Sequence, residues 1–482
     1  MNLIKDPWVP VTLCDGTSGM FSLADVYTQA ESIKHVGNNA VTSFSVYRLL
    51  LCITQRAIDG PEDVISWKKC KPTLISKSLS YLKGYTDAFE LRGGFLQVGN
   101  LSPSKKADSV SRLTYFTPSG SSHTLFDAKA RMGLTDQYDD ADVAMGLLCT
   151  QVFAIGGGDG RGDSGMRWGG KRIKEGRKAS ALSNMLLTMI LGENLLSTLW
   201  YNLITKKELG VREIPFGVPV WEDVPKTQPS GSIRSYLYNL VPLNRALLID
   251  GETVSWNDGV LPCDLDVYRD PFTTAYKGKK GIVLVKVDPN KELWRNLASL
   301  LYRDDKKLEV HNDKANVHVE PAGALCPIPL SRLPSIGKDK DITIYSGGVA
   351  LDKAEKIAAM HWQLQIPSTL LIDDGNVDKL RACVVFAEVV AIRFKDAARI
   401  YMGSGKNSGY IALYPRAAIE YWQRMETHAH EMLQNAGAIN TAEWNSQAVQ
   451  EALRSFRHAC GRILPADLQN FIKAEQAIRS GK

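Results

Sequence analysis

The spacing of apolar residues predicts strands mixed with helices over most of the chain and helices alone near its end. Residues 1–20 alternate between apolar and polar positions, which is typical of half-buried strands. Residues 42–58 carry apolar side chains at helical spacing and stop at an Asp-Gly-Pro turn. Further helices are predicted over residues 139–153, 179–203 and 293–301, and short strands over residues 215–280 and 341–347.

Four helical stretches follow Pro367, over residues 377–401, 415–434, 441–462 and 466–479. Turn residues separate them, and short loops between amphipathic helices favour antiparallel neighbours. The predicted fold class is therefore α+β. A large mixed α+β domain over residues 1–365 is expected to precede an antiparallel four-helix bundle over residues 366–482.

Composition adds a mild basic bias to this picture. The chain has 482 residues, 44% of them hydrophobic and 23% charged, which is typical of a globular protein. Lysines and arginines number 58 against 52 acids, a net charge of +6 that permits nucleic-acid binding without requiring it.

Cysteine usage and hydropathy predict a cytoplasmic protein. The 8 cysteines are scattered and form no C-x-x-C pair, so we expect reduced thiols and no structural zinc. The first residues lack the apolar core of a signal peptide. Residues 182–204 are apolar but are interrupted by polar side chains, so we expect no membrane span.

A glycine-rich segment offers two near-matches to nucleotide-binding motifs. Residues Gly160 to Gly165 fit G-x-G-x-x-G, but no strand precedes them and no acid follows at the required distance. Residues Gly165 to Lys171 fit a P-loop until Arg172, which stands where Ser or Thr must bind magnesium. A nucleotide-dependent enzyme that uses residues 160–171 is therefore an alternative hypothesis.

The same segment also suits a DNA backbone or a narrow DNA groove. Glycines let the main chain approach a ligand closely, and basic side chains outnumber acidic ones between residues 159 and 178. A second basic surface is predicted on the C-terminal helices, where phosphate contacts would come from six residues: Arg393, Lys395, Arg399, Arg454, Arg457 and Arg462. With His458, the last three lie at helical spacing on one face. No catalytic or metal-ligand constellation is found, so we expect no enzyme activity, metal or cofactor.

Seven blocks of sequence run in the order and spacing of a known family. They are residues 2–11, 95–97, 124–126, 151–158, 268–271, 293–297 and 345–362. The chain thereby resembles the CasA family, the large subunits of type I-E Cascade CRISPR surveillance complexes. The resemblance implies a non-catalytic subunit that reads the protospacer-adjacent motif (PAM) of double-stranded DNA in the minor groove and helps to start unwinding, while guide RNA reads the target sequence.

The resemblance also implies partners. These are crRNA, target double-stranded DNA, the backbone, small and crRNA-end subunits of Cascade, and a helicase–nuclease that is recruited later. A scaffold that binds only proteins, with its basic loops idle, is the other alternative hypothesis.

Candidate site residues follow from the resemblance. The glycine loop comprises Gly156, Gly157, Gly158, Asp159, Gly160 and Arg161. The docking loop lies around Phe126 and Asp127, and a wedge at a hairpin tip comprises Leu351, Asp352, Lys353 and Ala354, with a turn opening at Gly347 and Gly348. The family often has glutamine in the wedge where Lys353 stands here. Its minor-groove lysine is expected before Tyr268, but residues 250–267 contain no Lys or Arg, so Asn257, Lys277, Lys279 or Lys280 would act as the donor.

Overall fold

A computed structural model of the protein describes residues 1–104, 107–113, 139–155, 165–173, 179–264, 268–278, 281–301, 326–336, 340–352, 355–403 and 409–480. All of its strand pairings are antiparallel within these ranges. The strands are β1 (Val9–Leu13), β2 (Ser18–Phe21), β3 (Ile33–Val36), β4 (Asp108–Ser109), β5 (Arg167–Trp168), β6 (Lys171–Arg172), β7 (Leu187–Leu191), β8 (Arg245–Asp250), β9 (Thr253–Asp258), β10 (Ala275–Gly278), β11 (Gly281–Leu284), β12 (Ile342–Asp352) and β13 (Glu355–Ile366). They form three small sheets, ordered β2-β1-β3, β4-β9-β8 and β13-β12-β7, and two hairpins, β5-β6 and β10-β11.

Helices outnumber strands in residue content and include the longest elements of the fold. They are α1 (Leu23–Thr28), α2 (Ala40–Ala57), α3 (Val64–Cys70), α4 (Leu74–Lys83), α5 (Asp140–Val152), α6 (Leu195–Asn202), α7 (Lys206–Val211), α8 (Tyr236–Leu240), α9 (Leu297–Leu300), α10 (Leu333–Ile336), α11 (Ser368–Ile372), α12 (Asp374–Met402), α13 (Tyr410–Gln434), α14 (Thr441–Cys460) and α15 (Leu468–Ser480). Short 3-10 turns add residues 71–73, 86–89, 110–113, 293–296, 328–332, 436–438 and 465–467. Within the described ranges, a helix that combines the length and the apolar composition of a membrane span is not found.

Helix α2 is the centre of the core that precedes the C-terminal helices. Asn39 caps its first turn by accepting from the backbone N–H groups of Val41 and Thr42, and most of its side chains are buried. One of them is charged: the Arg48 guanidinium lies 2.8 Å from Asp270 and donates to the Leu240 carbonyl at 2.9 Å. This ion pair ties the central helix to the Tyr-Arg-Asp-Pro block at residues 268–271.

The last four helices contact one another through polar groups as well as apolar ones. Helix α12 accepts through its carbonyls from Tyr421 of α13, at 3.1 Å, and from the Trp444 indole of α14, at 2.7 Å. Its Arg393 donates at 2.9 Å to the carbonyl of Ile478, near the end of α15. Each of the three helices that follow α12 is therefore joined to it by at least one hydrogen bond whose donor is an aromatic or guanidinium group.

An aromatic cluster joins these helices to residues 293–296. The Trp294 ring packs edge to face against Trp422 and Trp444, with centroids 5.8 and 6.0 Å away. Next to it, Arg295 stacks on Trp422 at 3.5 Å and forms two hydrogen bonds with Glu388 of α12. Buried aromatic and bidentate ionic contacts of this kind bring the C-terminal helices into firm contact with the preceding part of the chain.

The mixed helix-and-strand class is confirmed, and one predicted helix is wrong in part. Residues 187–191, within the helix predicted over 179–203, form β7, and only residues 195–202 of that stretch are helical. An apolar run buried on both faces lacks the alternation that distinguishes a strand from a buried helix. The antiparallel arrangement of a four-helix bundle and a domain boundary near residue 366 stay predictions.

A histidine packs between α2 and the long hairpin β12–β13. His35 lies 3.1 Å from the Ser43 hydroxyl and 2.9 Å from the Tyr47 hydroxyl, and its ring packs on Tyr345 of β12. Burial, with a smaller contribution from His361, lowers the pKa of His35 to about 4. Neutral imidazole is therefore part of the native packing at pH 7.

This packing predicts a loss of stability in mild acid. Histidine in an unfolded chain titrates near 6.5, so the contribution of His35 is complete above that pH and is lost as the pH falls towards 4. Between pH 7 and 5 the loss is about 2 kcal/mol. Urea unfolding at both pH values measures it, and a His35→Gln variant, which keeps a hydrogen-bonding side chain without titration, is expected to lose less. An equal decrease in both proteins would contradict the assignment to His35.

Candidate nucleic-acid interface

The predicted wedge lies at the tip of the β12–β13 hairpin. Its strands pair from Ile342 opposite Ile366 to Asp352 opposite Glu355, so two residues connect them. These are Lys353 and Ala354, which lie outside the described residues. Strand β7 pairs with residues 343–347 of β12, and the tip half of the hairpin extends beyond that ladder. The sequence predicts Leu351, Asp352 and Lys353 at the tip of a hairpin. The structure has the hairpin, with Leu351 and Asp352 paired as the last residues of β12, and the role of this tip as a wedge stays a prediction.

The turn expected at Gly347 and Gly348 is wrong, because both residues lie within β12. A Cβ atom on Gly347 would lie 2.4 Å from the Met360 carbonyl oxygen, and one on Gly348 would lie 2.4 Å from the Met185 carbonyl oxygen. The two glycines therefore allow close approach of neighbouring backbones. The hairpin is longer than predicted, and the glycines lie well before its tip.

The glycine loop itself lies outside the described residues, and so does the docking loop at Phe126 and Asp127. The last described residue before the glycine loop is Ile155, whose carbonyl accepts from the Arg245 guanidinium at 2.6 Å. The same guanidinium lies 3.4 Å from Asp258, and both charged side chains are buried. The glycine loop thus begins at a fixed point on the β8–β9 hairpin.

Two serines hold the preceding turn of chain. The Ser180 hydroxyl donates to the Val152 carbonyl and the Ser183 hydroxyl donates to the Ala154 carbonyl, each at 2.7 Å. These bonds satisfy carbonyl groups at the end of α5, which no residue of the helix can reach. Residues 180–183 therefore fix the exit of α5 into the glycine loop.

A small hairpin follows the glycine loop. Strands β5 and β6 are joined at Gly169 and Gly170, with φ values of 58° and 79°. The Trp168 indole is buried and donates to the Pro225 carbonyl at 2.9 Å, which fixes the hairpin on residues 225–226. Arg167, Lys171 and Arg172 are exposed on it.

This hairpin argues against the nucleotide-dependent alternative. Both the dinucleotide fingerprint and the P-loop require a helix that begins at the glycine motif, because its N-terminus binds the phosphates. Lys171 and Arg172 instead form a strand.

Asn257 lies close to the start of the glycine loop. It is in β9 next to Asp258, and its side-chain oxygen accepts from the Asp258 backbone N–H at 2.7 Å. Lys277 belongs to β10, opposite Ile282, while Lys279 and Lys280 lie outside the described residues. Of the two proposed minor-groove donors that the structure describes, Asn257 is the one next to Asp258, which contacts the anchor of the glycine loop.

Residues 179–187 connect the three predicted DNA-contacting segments. Besides the two serines just outside the glycine loop, the Asn184 side chain accepts from the backbone N–H of Leu351, the first residue of the predicted wedge, at 3.2 Å. Leu186 donates to the Val285 carbonyl at 3.0 Å, just after the β10–β11 hairpin. The glycine loop, the wedge hairpin and the β10–β11 hairpin are thus anchored to one short stretch of chain, for which the sequence offered no motif.

The basic surface of the C-terminal helices is partly compensated. Arg454 pairs with Glu451 at 2.7 Å, and Arg457 pairs with Glu475 of α15 at 2.5 Å. Helix α14 ends at Cys460, and Gly461 follows with a φ of 63°, so Arg462 lies beyond the helix. The prediction that Arg462 shares the helix face of Arg454 and Arg457 is therefore wrong, because the glycine ends the helix first.

The basic residues of α12 have different surroundings. Arg393 donates to the carbonyls of Ile478 and Arg479 in the last turn of α15, where the helix dipole favours a cation. Arg399 lies 3.6 Å from Asp396, and Lys395 is exposed. Within the described ranges, no group of three or more His, Cys, Asp or Glu side chains is placed to hold a metal ion.

Comparison with known proteins identifies the family. The family model of the CRISPR-associated protein Cse1 matches residues 2–463. The chain belongs to the Cse1 family. The CasA resemblance is confirmed, since a relative from Thermus thermophilus is described as CRISPR-associated protein CasA/Cse1. That relative is 28% identical over 421 residues, which cover 83% of this chain and 77% of the relative.

Solved structures of Cse1 proteins share the fold. Thermus thermophilus CasA (Cse1) aligns over 99% of this chain and 98% of its own, with a TM-score of 0.75 at 20% identity. Thermobifida fusca Cse1 aligns over 100% and 97%, with a TM-score of 0.73 at 21% identity. A chain of a CRISPR RNA-guided surveillance complex aligns over 100% and 99%, with a TM-score of 0.73 at 16% identity.

Proposed function

We propose that this chain is the large, non-catalytic subunit of a type I-E Cascade complex. In that complex it recognises the PAM of target double-stranded DNA through the minor groove and helps to start unwinding, so that crRNA can pair. The observation that carries the proposal is the common anchoring of the glycine loop, the wedge hairpin and the β10–β11 hairpin on residues 179–187. Elements anchored so close together can contact neighbouring base pairs of one duplex.

The chemistry of these elements suits the minor groove. The groove is about 6 Å wide and presents mainly acceptors, so it admits a glycine backbone and small donors such as the amide of Asn257. Lys353, in the two-residue connection of the hairpin, would enter beside the recognised motif and attract a displaced phosphate. Protein contacts of this kind read the PAM, while base pairing with the RNA reads the target.

The proposal extends to partners and location. The docking loop at Phe126 and Asp127 would meet the crRNA 5′ end between neighbouring subunits. The C-terminal helices would form an antiparallel bundle after residue 366, whose exposed cations contact phosphates. The complex would act in the cytoplasm and recruit a separate helicase–nuclease.

Purification of the full chain with its partner subunits tests the proposal. We expect the assembled complex to contain guide RNA, identified by sequencing, and to bind duplexes in which a matched target is flanked by randomised sequence. Selection and sequencing of the bound duplexes should reveal one preferred flanking motif. A complex that binds all flanks equally would support the protein-only scaffold instead.

A further inference from the structure

Three lysines from separate parts of the chain meet at helix α6. The Lys34 ammonium of β3 lies 3.5 Å from the Glu193 carbonyl oxygen, just before α6. Lys71 donates to the Ser197 hydroxyl at 3.0 Å. The Lys340 ammonium, just before β12, lies 5.4 Å from the centre of the Tyr201 ring. We call Lys34, Lys71 and Lys340 the base lysines, because they lie at the base of the sheet that carries the wedge hairpin.

The base lysines form a positively charged surface. Among the described residues, none of the three forms an ion pair with a carboxylate, and the exposed Lys68 and Lys69 add charge just before Lys71. The pKa of Lys340 is raised above its ordinary value, chiefly by its hydrogen bond to Tyr201, so it is protonated at neutral pH. Two acids lie beside the base lysines and are fewer than them. The Glu193 carboxylate accepts from the same Ser197 hydroxyl at 3.0 Å, and the exposed Asp341 follows Lys340 and accepts from Gln365 and from the Ser368 backbone N–H.

Among the described residues around the base lysines, the Trp200 ring is already stacked and does not offer a free aromatic face. The Trp200 ring stacks on Trp67 at 4.6 Å, and Lys71 lies 5.1 Å from the centre of the Trp200 ring. Proteins that bind single strands use exposed aromatic rings on which bases stack. Lysine ammonium groups without such a ring favour the phosphates of a duplex.

The length of β12 gives the distance between the base lysines and the tip of the hairpin. Thr343 of β12 pairs with Leu191 of β7, so Lys340 and Glu193 lie near one end of β12, and the last pair of the hairpin, Asp352 opposite Glu355, lies at the other. A strand of 11 residues spans about 35 Å at roughly 3.3 Å per residue. Duplex DNA rises about 3.4 Å per base pair, so this length corresponds to about ten base pairs, close to one helical turn.

We propose that the base lysines bind the phosphate backbone of the target duplex, independently of sequence, about one helical turn from the position where the hairpin tip contacts the DNA. The proposal rests on the proposed function in one respect, namely that the tip contacts a duplex. The ligand is defined by its chemistry, because three ammonium groups can neutralise phosphates but cannot distinguish bases.

The salt dependence of binding tests this proposal. A Lys34→Gln/Lys71→Gln/Lys340→Gln variant is assembled into the complex with the full chain, and duplex affinity is measured between about 50 and 200 mM salt. Each phosphate contact contributes about 0.9 to the slope of log K against log salt, so we expect the slope to fall by up to about three. The matched control is Lys5→Gln/Lys83→Gln/Lys379→Gln, three exposed lysines elsewhere, which should keep the wild-type slope.

Two kinds of duplex separate the possible outcomes. The decrease in the salt slope should occur on duplexes that extend about twenty base pairs to each side of the motif. The decrease should vanish on duplexes that end about five base pairs from the motif. It should be equal with and without the preferred motif. Equal slopes for variant and wild type on the long duplex, or an equal loss on the short one, would overturn the proposal. The proposed function is tested separately by the motif preference of the wild-type complex, and a lack of preference there would contradict the proposed function.

Discussion

Replacement of Arg48 by methionine is expected to lower the free energy of unfolding of the full chain by about 3–5 kcal/mol. The Arg48 side chain is fully buried, and that of Asp270 is 4% exposed. Without the guanidinium, the Asp270 carboxylate would stay buried and uncompensated, and the carbonyls of Leu240 and Asn239 would lose a donor. Urea unfolding followed by circular dichroism measures the loss.

A second substitution separates the lost ion pair from lost packing. Arg48→Met combined with Asp270→Asn leaves no unpaired charge, and the asparagine oxygen can still accept from the Phe272 backbone N–H. We expect the double variant to be more stable than Arg48→Met alone, as buried pairs behave when both charges are removed. A double variant as unstable as the single one, or a single variant as stable as wild type, would contradict this account.

Replacement of Arg245 by methionine is expected to weaken motif-dependent DNA binding by about tenfold or more. The guanidinium holds the Ile155 carbonyl at the start of the glycine loop and lies beside Asp258, the neighbour of Asn257. A hydrogen bond from a charged donor contributes about 1.5–3 kcal/mol, and 1.4 kcal/mol corresponds to tenfold in affinity. Arg245 is a positioning residue here, because it acts on DNA through the loop and the strand.

The readout for Arg245 is the ratio of affinities for duplexes with and without the preferred motif. A purely structural role would lower the affinities for both duplexes together. A positioning role would lower the affinity for the motif-bearing duplex much more than the affinity for the other duplex. Thermal unfolding confirms that the variant is folded at the temperature of the assay, and Arg245→Lys, which keeps the charge, should retain part of the ratio. An unchanged ratio of affinities for Arg245→Met would contradict a positioning role for Arg245.

Helices whose apolar residues recur at helical spacing can be predicted from the sequence. The spacing predicts helices over residues 42–58 and 139–153, and the structure has them at Ala40–Ala57 and Asp140–Val152. Such helices have polar caps and a regular apolar pattern, and both are local properties. Strand β7 could not be predicted in the same way. A strand that is buried on both faces carries apolar residues at successive positions, so it lacks the alternation of apolar and polar residues that identifies a strand.

The anchors of the candidate site were beyond sequence reasoning for a different reason. Arg245 and Ile155 are 90 residues apart, and Asn184 and Leu351 are 167 apart, so no local pattern relates them. One signal was present: Arg245 opens the otherwise apolar stretch Ala-Leu-Leu-Ile, and a charge that begins a buried strand requires a partner. The family resemblance predicts the glycine loop and the wedge, and the structure shows which contacts hold the described residues next to them.

The motif preference of glycine-loop variants tests the central claim most directly. Valine at Gly158 or Gly160 would add a branched side chain where the backbone is proposed to enter a groove about 6 Å wide. Gly231→Val is the matched control, since a Cβ atom there meets nothing within 4 Å. In assembled complexes we predict that wild type and Gly231→Val bind the motif-bearing duplex about tenfold or more tightly than the same duplex with an altered motif, and that Gly158→Val and Gly160→Val lose this preference. An unchanged preference in both glycine-loop variants would contradict the account.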